Sequence, residues 1–244
     1  MIHKMNAIPR KERERAEREQ RLLDVAYGLI REQGLVALQM SQLAQAAEYA
    51  MGTLYSHFSS KEDLLLALAV RSGELRLQQF AKAANWLAPT RQRMMALAMA
   101  DWIFMNGHPE YAQIEQYAIS EVVWERASQA RRDAFTHSRE PIGEVIWGIV
   151  EDARRAGDLG ADSFVVKELP FGMWTMLIGT HQLSHARGLL EHFQIHEPYH
   201  LMIRHLCVWL NGLGWQPLLD PGDEAALDQL CARLQAEVFP ESNE

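Results

Sequence analysis

Cysteine is nearly missing from this 244-residue chain, which has only Cys207 and Cys231. Too far apart for a metal or redox motif and set in apolar helical context, they read as reduced thiols of a cytoplasmic protein. Long apolar runs are missing too: none nears the roughly 20 residues of a membrane span. The N-terminus is charged rather than signal-like, so no membrane partner is expected. Strand-like alternation is absent, as are repeats and low-complexity tracts. So are the signatures of catalysis: there is no Gly-x-Ser-x-Gly and no phosphate-binding glycine loop. Gly212-x-Gly214 lacks both a preceding strand and a third glycine. An enzyme is not expected, nor a cofactor.

Basic charge is scarce as well, with 24 Lys and Arg against 32 Asp and Glu, a net charge of −8. Its distribution changes that picture. Residues 1–21 carry seven basic groups, including Lys4, Arg10, Lys11, Arg13 and Arg15, against four glutamates. That local +3 leaves −11 on the remainder, and it sits where a nucleic acid would need it. Arg18 and Arg21 can instead be solvated i,i+4 partners of Glu14 and Glu17. Arg10 and Lys11 precede any apolar period and read as part of a basic arm, residues 1–16, that tracks a DNA backbone.

The organising stretch is residues 39–58, QMSQLAQAAEYAMGTLYSHF. Leu43, Ala46 and Ala47 share one face of a short helix capped at Ser41, and Leu54 and Phe58 repeat the spacing in a second helix. The break between them, Glu48-Tyr49-Ala50, is too short to leave the helices independent. They must cross steeply with apolar faces touching, as in a helix-turn-helix whose second helix enters the major groove. Met51, Gly52, Thr53, Tyr55, Ser56 and His57 are left facing out or at its leading end.

Gly52-Thr53-Leu54-Tyr55, His57-Phe58 and Ser60-Lys61-Glu62 follow in order and register, and the segment GTLYSHFSSKEDLL resembles the signature of the TetR family of bacterial transcription regulators. The resemblance implies a DNA-binding domain at 17–77, with helix one from about Arg18 to Gln33 and helix four opening at Lys61. It implies that Thr53, Tyr55 and His57 touch DNA and that Lys61 holds a phosphate. The full DNA-binding set is Arg10, Lys11, Ser41, Gln42, Met51, Gly52, Thr53, Tyr55, Ser56, His57 and Lys61. Two positions depart from the family: Glu48 stands where glycine is usual, so it must strain or reshape the turn. Ala50 replaces a serine cap.

The rest of the chain reads as all-α. In helix one Leu22, Ala26, Leu29 and Ile30 form a stripe closed by Gly34. Lys61 to about Ala84 is one long helix, joining the reading head to what lies behind it. Residues 78–244 form a helical ligand-binding and dimerisation domain, with helices near 90–106, 110–137, 141–156, 162–190, 198–212 and Asp223 to Val238. Trp102, Met105, Tyr111, Tyr117, Trp124, Trp147, Phe171, Trp174 and His181 admit a core reading and a pocket reading. The TetR resemblance implies that the helices behind the head enclose an effector pocket. With no concentrated charge among these residues, the effector expected is a small apolar or amphipathic molecule. His181 and His185, like His192 and His196, are four apart, a spacing open to a metal or to plain packing; no carboxylate or thiol nearby completes a set, so no metal is expected. Phe164 to Leu190 and Pro198 to Leu213 resemble the family's dimerising helices, with Gly172, Gly179, Leu183, Ile203, Leu206 and Leu210 at the interface. An intrachain contact at the glycines is the alternative. The resulting expectation is a homodimeric repressor, released from double-stranded operator DNA by a small-molecule effector. A helical module that has lost DNA binding, or an activator on the same scaffold, are the competing readings.

Overall fold

The structure, a computed structural model, describes residues 9–160 and 164–240, the side chains of residues 164–167 and of Arg187 apart. Lys4, with the first part of the proposed arm, lies outside the described residues. Among those described, the chain forms helices and no strands: α1 (Arg10–Gln33), α2 (Met40–Ala46), α3 (Met51–His57), α4 (Lys61–Ala84), α5 (Thr90–Gly107), α6 (Pro109–Ala118), α7 (Glu121–Arg126), α8 (Gln129–His137), α9 (Glu140–Ala156), α10 (Phe164–Ser184), α11 (Arg187–His192), α12 (Pro198–Gly212) and α13 (Glu224–Val238). They pack as two units. Residues up to Arg71 with Gln113–Phe135 form the first, and Ser72–Ala112 with the residues from Thr136 onward form the second. This differs from a linear division after residue 77. The chain passes between the units within α4, α6 and α8.

In the first unit α1 buries Leu22, Leu23, Ala26 and Ile30 against α2, while Leu29 is only half-buried. It begins at Arg10 rather than near Arg18. The early turns bury little, and side-chain pairs such as Arg10 Nε to Glu14 Oε1 at 2.7 Å support them instead. Helix α2 starts at Met40 after Gln39, so Ser41 is inside it and not its cap. Leu43, Ala44 and Ala47 form its buried face, and Ala46 is exposed. Leu54 and Phe58 are fully buried, as are Leu64, Leu65, Leu66 and Leu68 of α4. At about 1.5–3 kcal/mol for each large apolar side chain, this shared core is what holds helices too short to be stable alone.

The single helix expected over 110–137 is three. Asp63 supplies the reason for the last break: its Oδ1 accepts from the Ser128 amide at 2.7 Å, and Ala127 before it is extended. That captured amide cannot continue α7.

The second unit is built around α5, which is buried continuously from Met94 to Ala100. Helix α9 covers it with Ile146, Ile149 and Val150, α10 with Leu169, Met173 and Leu177, and α12 with Met202, Ile203 and Leu206. A helix apolar all round in this way belongs at the centre of a core. Buried Arg91 ties its start to α12 and the turn after it, donating to the Cys207 carbonyl at 2.9 Å and to the Trp215 carbonyl at 2.7 Å. Gly157, at φ 78°, closes α9 in the left-handed conformation glycine allows. Helix α10 continues past Pro170 but ends at Ser184, so 162–190 is not one helix.

Candidate functional site

Helix α3 has seven residues and no side-chain cap at Ala50. Met51, Gly52, Tyr55 and Ser56 are exposed, Tyr55 at 48%, and Thr53 is half-buried. These groups therefore present one polar, hydrogen-bonding face. Ser41 and Gln42 are exposed on the first turn of α2, where Gln42 accepts weakly from Gln33 at 3.4 Å. The turn between the helices runs through Glu48 at φ 59°, the left-handed conformation that glycine normally takes. It is closed by the Tyr49 amide donating to the Ala44 carbonyl at 2.9 Å.

Four positions depart from their expected places. His57 is only 7% exposed, with Nδ1 3.2 Å from Glu19 Oε2, so it faces α1 and not the groove. The spacing could have placed it there, since His57 stands three residues after Leu54 on the same helical face. Lys61 donates to the carbonyls of Leu35, Val36 and Leu38, the last at 2.8 Å, so its ammonium already holds the α1–α2 connection. Burial pulls its pKa down, against the neighbouring Glu62. Arg10 and Lys11 are exposed on the first turn of α1, so this part of the expected arm belongs to the helix rather than preceding it.

The aromatic set expected to line one pocket is dispersed. Phe171 and Trp174 line a cavity of about 240 Å³ in the second unit, with Phe80 of α4, Ile142 and Ile146 of α9 and Leu177 of α10 among its apolar walls. Charge lines it too, contrary to expectation. Arg76 Nη1 and Asp101 Oδ1 form a buried pair at 3.0 Å, and Arg139 stands at the same wall. For Asp101 the signal was present, since it falls inside the apolar run from Met94 to Met105, whereas Arg76 stands near Glu74, Gln78 and Gln79 and gave none. Trp102 lines a second cavity of about 490 Å³ with Ser184, His185, His196 and Tyr199. Its ring stacks on Tyr199 at 5.5 Å. His181 Nδ1 hydrogen-bonds the Tyr199 hydroxyl, and burial, then His185, lowers its pKa to about 4. Met105 and Tyr111 are buried, Tyr111 stacked on Phe104. Trp147 lies under the Arg154 guanidinium. Tyr117 and Trp124 belong to the first unit and share neither cavity. Among the described residues no group of His, Cys, Asp or Glu could hold a metal.

Of the proposed interface residues, Ile203, Leu206 and Leu210 are buried in the second unit's own core. A Cβ on Gly172 would meet the Trp209 ring at 2.5 Å, so this glycine serves an intrachain contact of α10 with α12. Gly179 faces open space and Leu183 is half exposed.

Residues 22–68 match the family model described as bacterial regulatory proteins, tetR family. The HTH-type transcriptional regulator BetI of Rhizobium meliloti is 29% identical over 147 residues, 58% of this chain and 71% of that protein. The HTH-type transcriptional repressor KstR of Rhodococcus jostii is 41% identical over 58 residues, 24% of this chain and 27% of that one. The crystal structure of RolR with its ligand resorcinol superposes with a TM-score of 0.61 at 14% identity, covering 91% of this chain and 96% of that one, a likeness of fold.

Proposed function

Because the chain belongs to the TetR family of bacterial regulatory proteins, a family of DNA-binding transcription regulators, we propose that it is a homodimeric repressor released from its operator by a small ligand. The carrying observation is the division of α3: Leu54, His57 and the following Phe58 are buried while Met51, Gly52, Tyr55 and Ser56 stand outward. These four, with Thr53, are the base- and backbone-reading set. Exposed Arg10, Lys11, Ser41 and Gln42 supply flanking phosphate contacts. Lys61 and His57 instead support the head from within.

A second copy is required because one short helix reads only one half-site. The stripe of α10 carrying Gly179 and Leu183, with exposed Val208 of α12, is the dimer face. The effector site is the 240 Å³ cavity, larger than the roughly 150 Å³ that accommodates benzene. It fits one substituted ring or a short acyl chain, with a hydroxyl or carbonyl directed at Arg76 and Asp101. The resorcinol bound by RolR is of this size class. Fluorescence anisotropy of the purified protein on fragments of its own promoter region tests the reading. Binding that falls steeply with salt, and a near-palindromic site with half-sites about 34 Å apart, are expected. No salt-dependent binding to any fragment would favour a helical module that has lost DNA recognition, for which the glutamate at the strained turn is the motive.

A further inference from the structure

Two carboxylates join parts of the first unit that are distant in the chain. Glu19 of α1 accepts from His57 Nδ1 at 3.2 Å with one oxygen and from Arg131 Nη2 at 2.7 Å with the other. Arg131, in α8, also donates to the carbonyl of His57, the last residue of α3, at 2.9 Å. Its guanidinium lies over the Phe58 ring, 4.9 Å from the centroid. One arginine thus touches three groups at the end of α3, and Arg15 of α1 adds a separate tie there, donating to the Ser56 carbonyl at 3.1 Å. Asp63 makes a parallel tie, accepting from the Ser59 amide and hydroxyl and from the Ser128 amide. Burial pushes the Asp63 carboxyl up, but these hydrogen bonds outweigh it and hold its pKa below the ordinary value.

A seven-residue helix has little stability of its own, and α3 has no side-chain cap at its start. Its direction must come from what grips its buried side. Leu54 is held by non-directional packing, which tolerates rotation. The contacts with direction are at the other end, where Arg131 satisfies an orphan carbonyl and carries positive charge at the negative pole of the helix. Arginine suits this position because its planar fork can bond and stack at once, which lysine cannot.

We infer that Arg131, far outside the helix-turn-helix in sequence, is a positioning residue for DNA recognition: gripping Glu19, the His57 carbonyl and Phe58 together, it sets the angle at which Tyr55 and Ser56 meet the groove. This rests on α3 being the recognition helix. The test compares Arg131→Lys and Glu19→Gln with the unaltered full-length protein, by affinity for operator and random DNA and by hydrogen exchange of α3 amides without DNA. Arg131→Lys should lose about tenfold or more in operator affinity, the scale of one charge-assisted hydrogen bond. Random-DNA affinity and the salt slope should stay unchanged, because no phosphate contact is removed. Amides of α3 should exchange faster while those of α12 do not, and adding Glu19→Gln to Arg131→Lys should cost little more. Unchanged α3 exchange with unchanged operator affinity overturns the inference. So does equal loss on both DNAs with faster exchange in α12, the mark of general unfolding. If the unaltered protein binds no DNA, it is the reading of α3 that fails, and the exchange measurements still decide whether Arg131 holds the helix.

Discussion

Tyr55 and Lys61 sit six residues apart in one signature, yet Tyr55 stands exposed while Lys61 is tied to backbone carbonyls, and their substitutions should differ in kind. Tyr55 is half exposed on α3 with no core to lose, so Tyr55→Ala should leave the melting temperature nearly unchanged. It should weaken operator binding by about tenfold, the scale of a good base contact, and random-DNA binding much less. Lys61→Ala removes the donor to three carbonyls of the α1–α2 connection. It should cost about 1–3 kcal/mol of stability in urea titration, an effect a phosphate-only lysine would not have; an unchanged midpoint would return Lys61 to the DNA-facing set. His181 makes a third, pH-dependent case. Its folded pKa is depressed to about 4 from 6.5 by burial and by His185, and a depressed base favours unfolding in acid. As pH falls through 6.5 the unfolded chain takes up a proton here, while the folded chain does so only near 4. Stability should therefore drop across that window by roughly 3 kcal/mol in full. His181→Gln, which can keep a hydrogen bond to Tyr199, should flatten that part of the slope. A variant as acid-sensitive as the unaltered protein would assign the slope elsewhere.

Among the elements, the α2–α3 turn stores strain that one substitution should release. Glu48 at φ 59° is exposed, and such a conformation costs a residue with a Cβ about 1–2 kcal/mol, against about 0.4–1 kcal/mol of added chain entropy for glycine. Glu48→Gly should then stabilise by up to about 1 kcal/mol; a lower urea midpoint would mean the turn is not strained. Along α10 the two glycines separate packing from assembly. Gly172→Ala drives a Cβ into the Trp209 ring and should cost about 1–3 kcal/mol as overpacking. Gly179→Leu meets open space, so the fold should hold while light scattering shows a shift from dimer toward monomer; an unmoved dimer would place the interface off this stripe. The elements also show what a sequence can disclose. Helix α4 has the bounds its apolar run predicts, because polar Ser59 and Ser60 precede it and its stripe is unbroken. Helix α1 was read too short because its first turns rest on charge pairs rather than burial. The break before α8 depends on a carboxylate 65 positions away, a contact no local pattern contains. The Leu54–Phe58 period left His57 in the outward set and the family signature agreed, and only Glu19 and Arg131 in place show which way it turns.

For the whole molecule, the proposed induction requires that occupation of a cavity in one packing unit release DNA held by another. The sequence showed basic charge at one end and aromatic-rich helices behind, but the cavity was not legible in it. Its lining is gathered from α4, α5, α9 and α10, and its charged pair lies 25 positions apart. Three passages of the chain join the units, within α4, α6 and α8, so a ligand touching Arg139 or Ile142 acts close along the chain to α8 and its Arg131. Coupling requires differential affinity: a ligand binding both conformations equally shifts nothing. A compound that weakens operator binding a hundredfold at saturation must prefer the released state by that factor, about 2.7 kcal/mol. The linkage is reciprocal, so saturating operator must weaken the compound's own binding equally. The expected inducers are compact phenols and short acyl compounds, which should quench tryptophan fluorescence by reaching Trp174. Trp174→Ala should then abolish the quench and the release while leaving operator affinity without ligand intact. A compound that loses its quench in Trp174→Ala yet never alters operator affinity in the unaltered protein would occupy the cavity without being a signal. If every cavity binder behaved so, the induction mechanism would be wrong while DNA recognition by α3 stood.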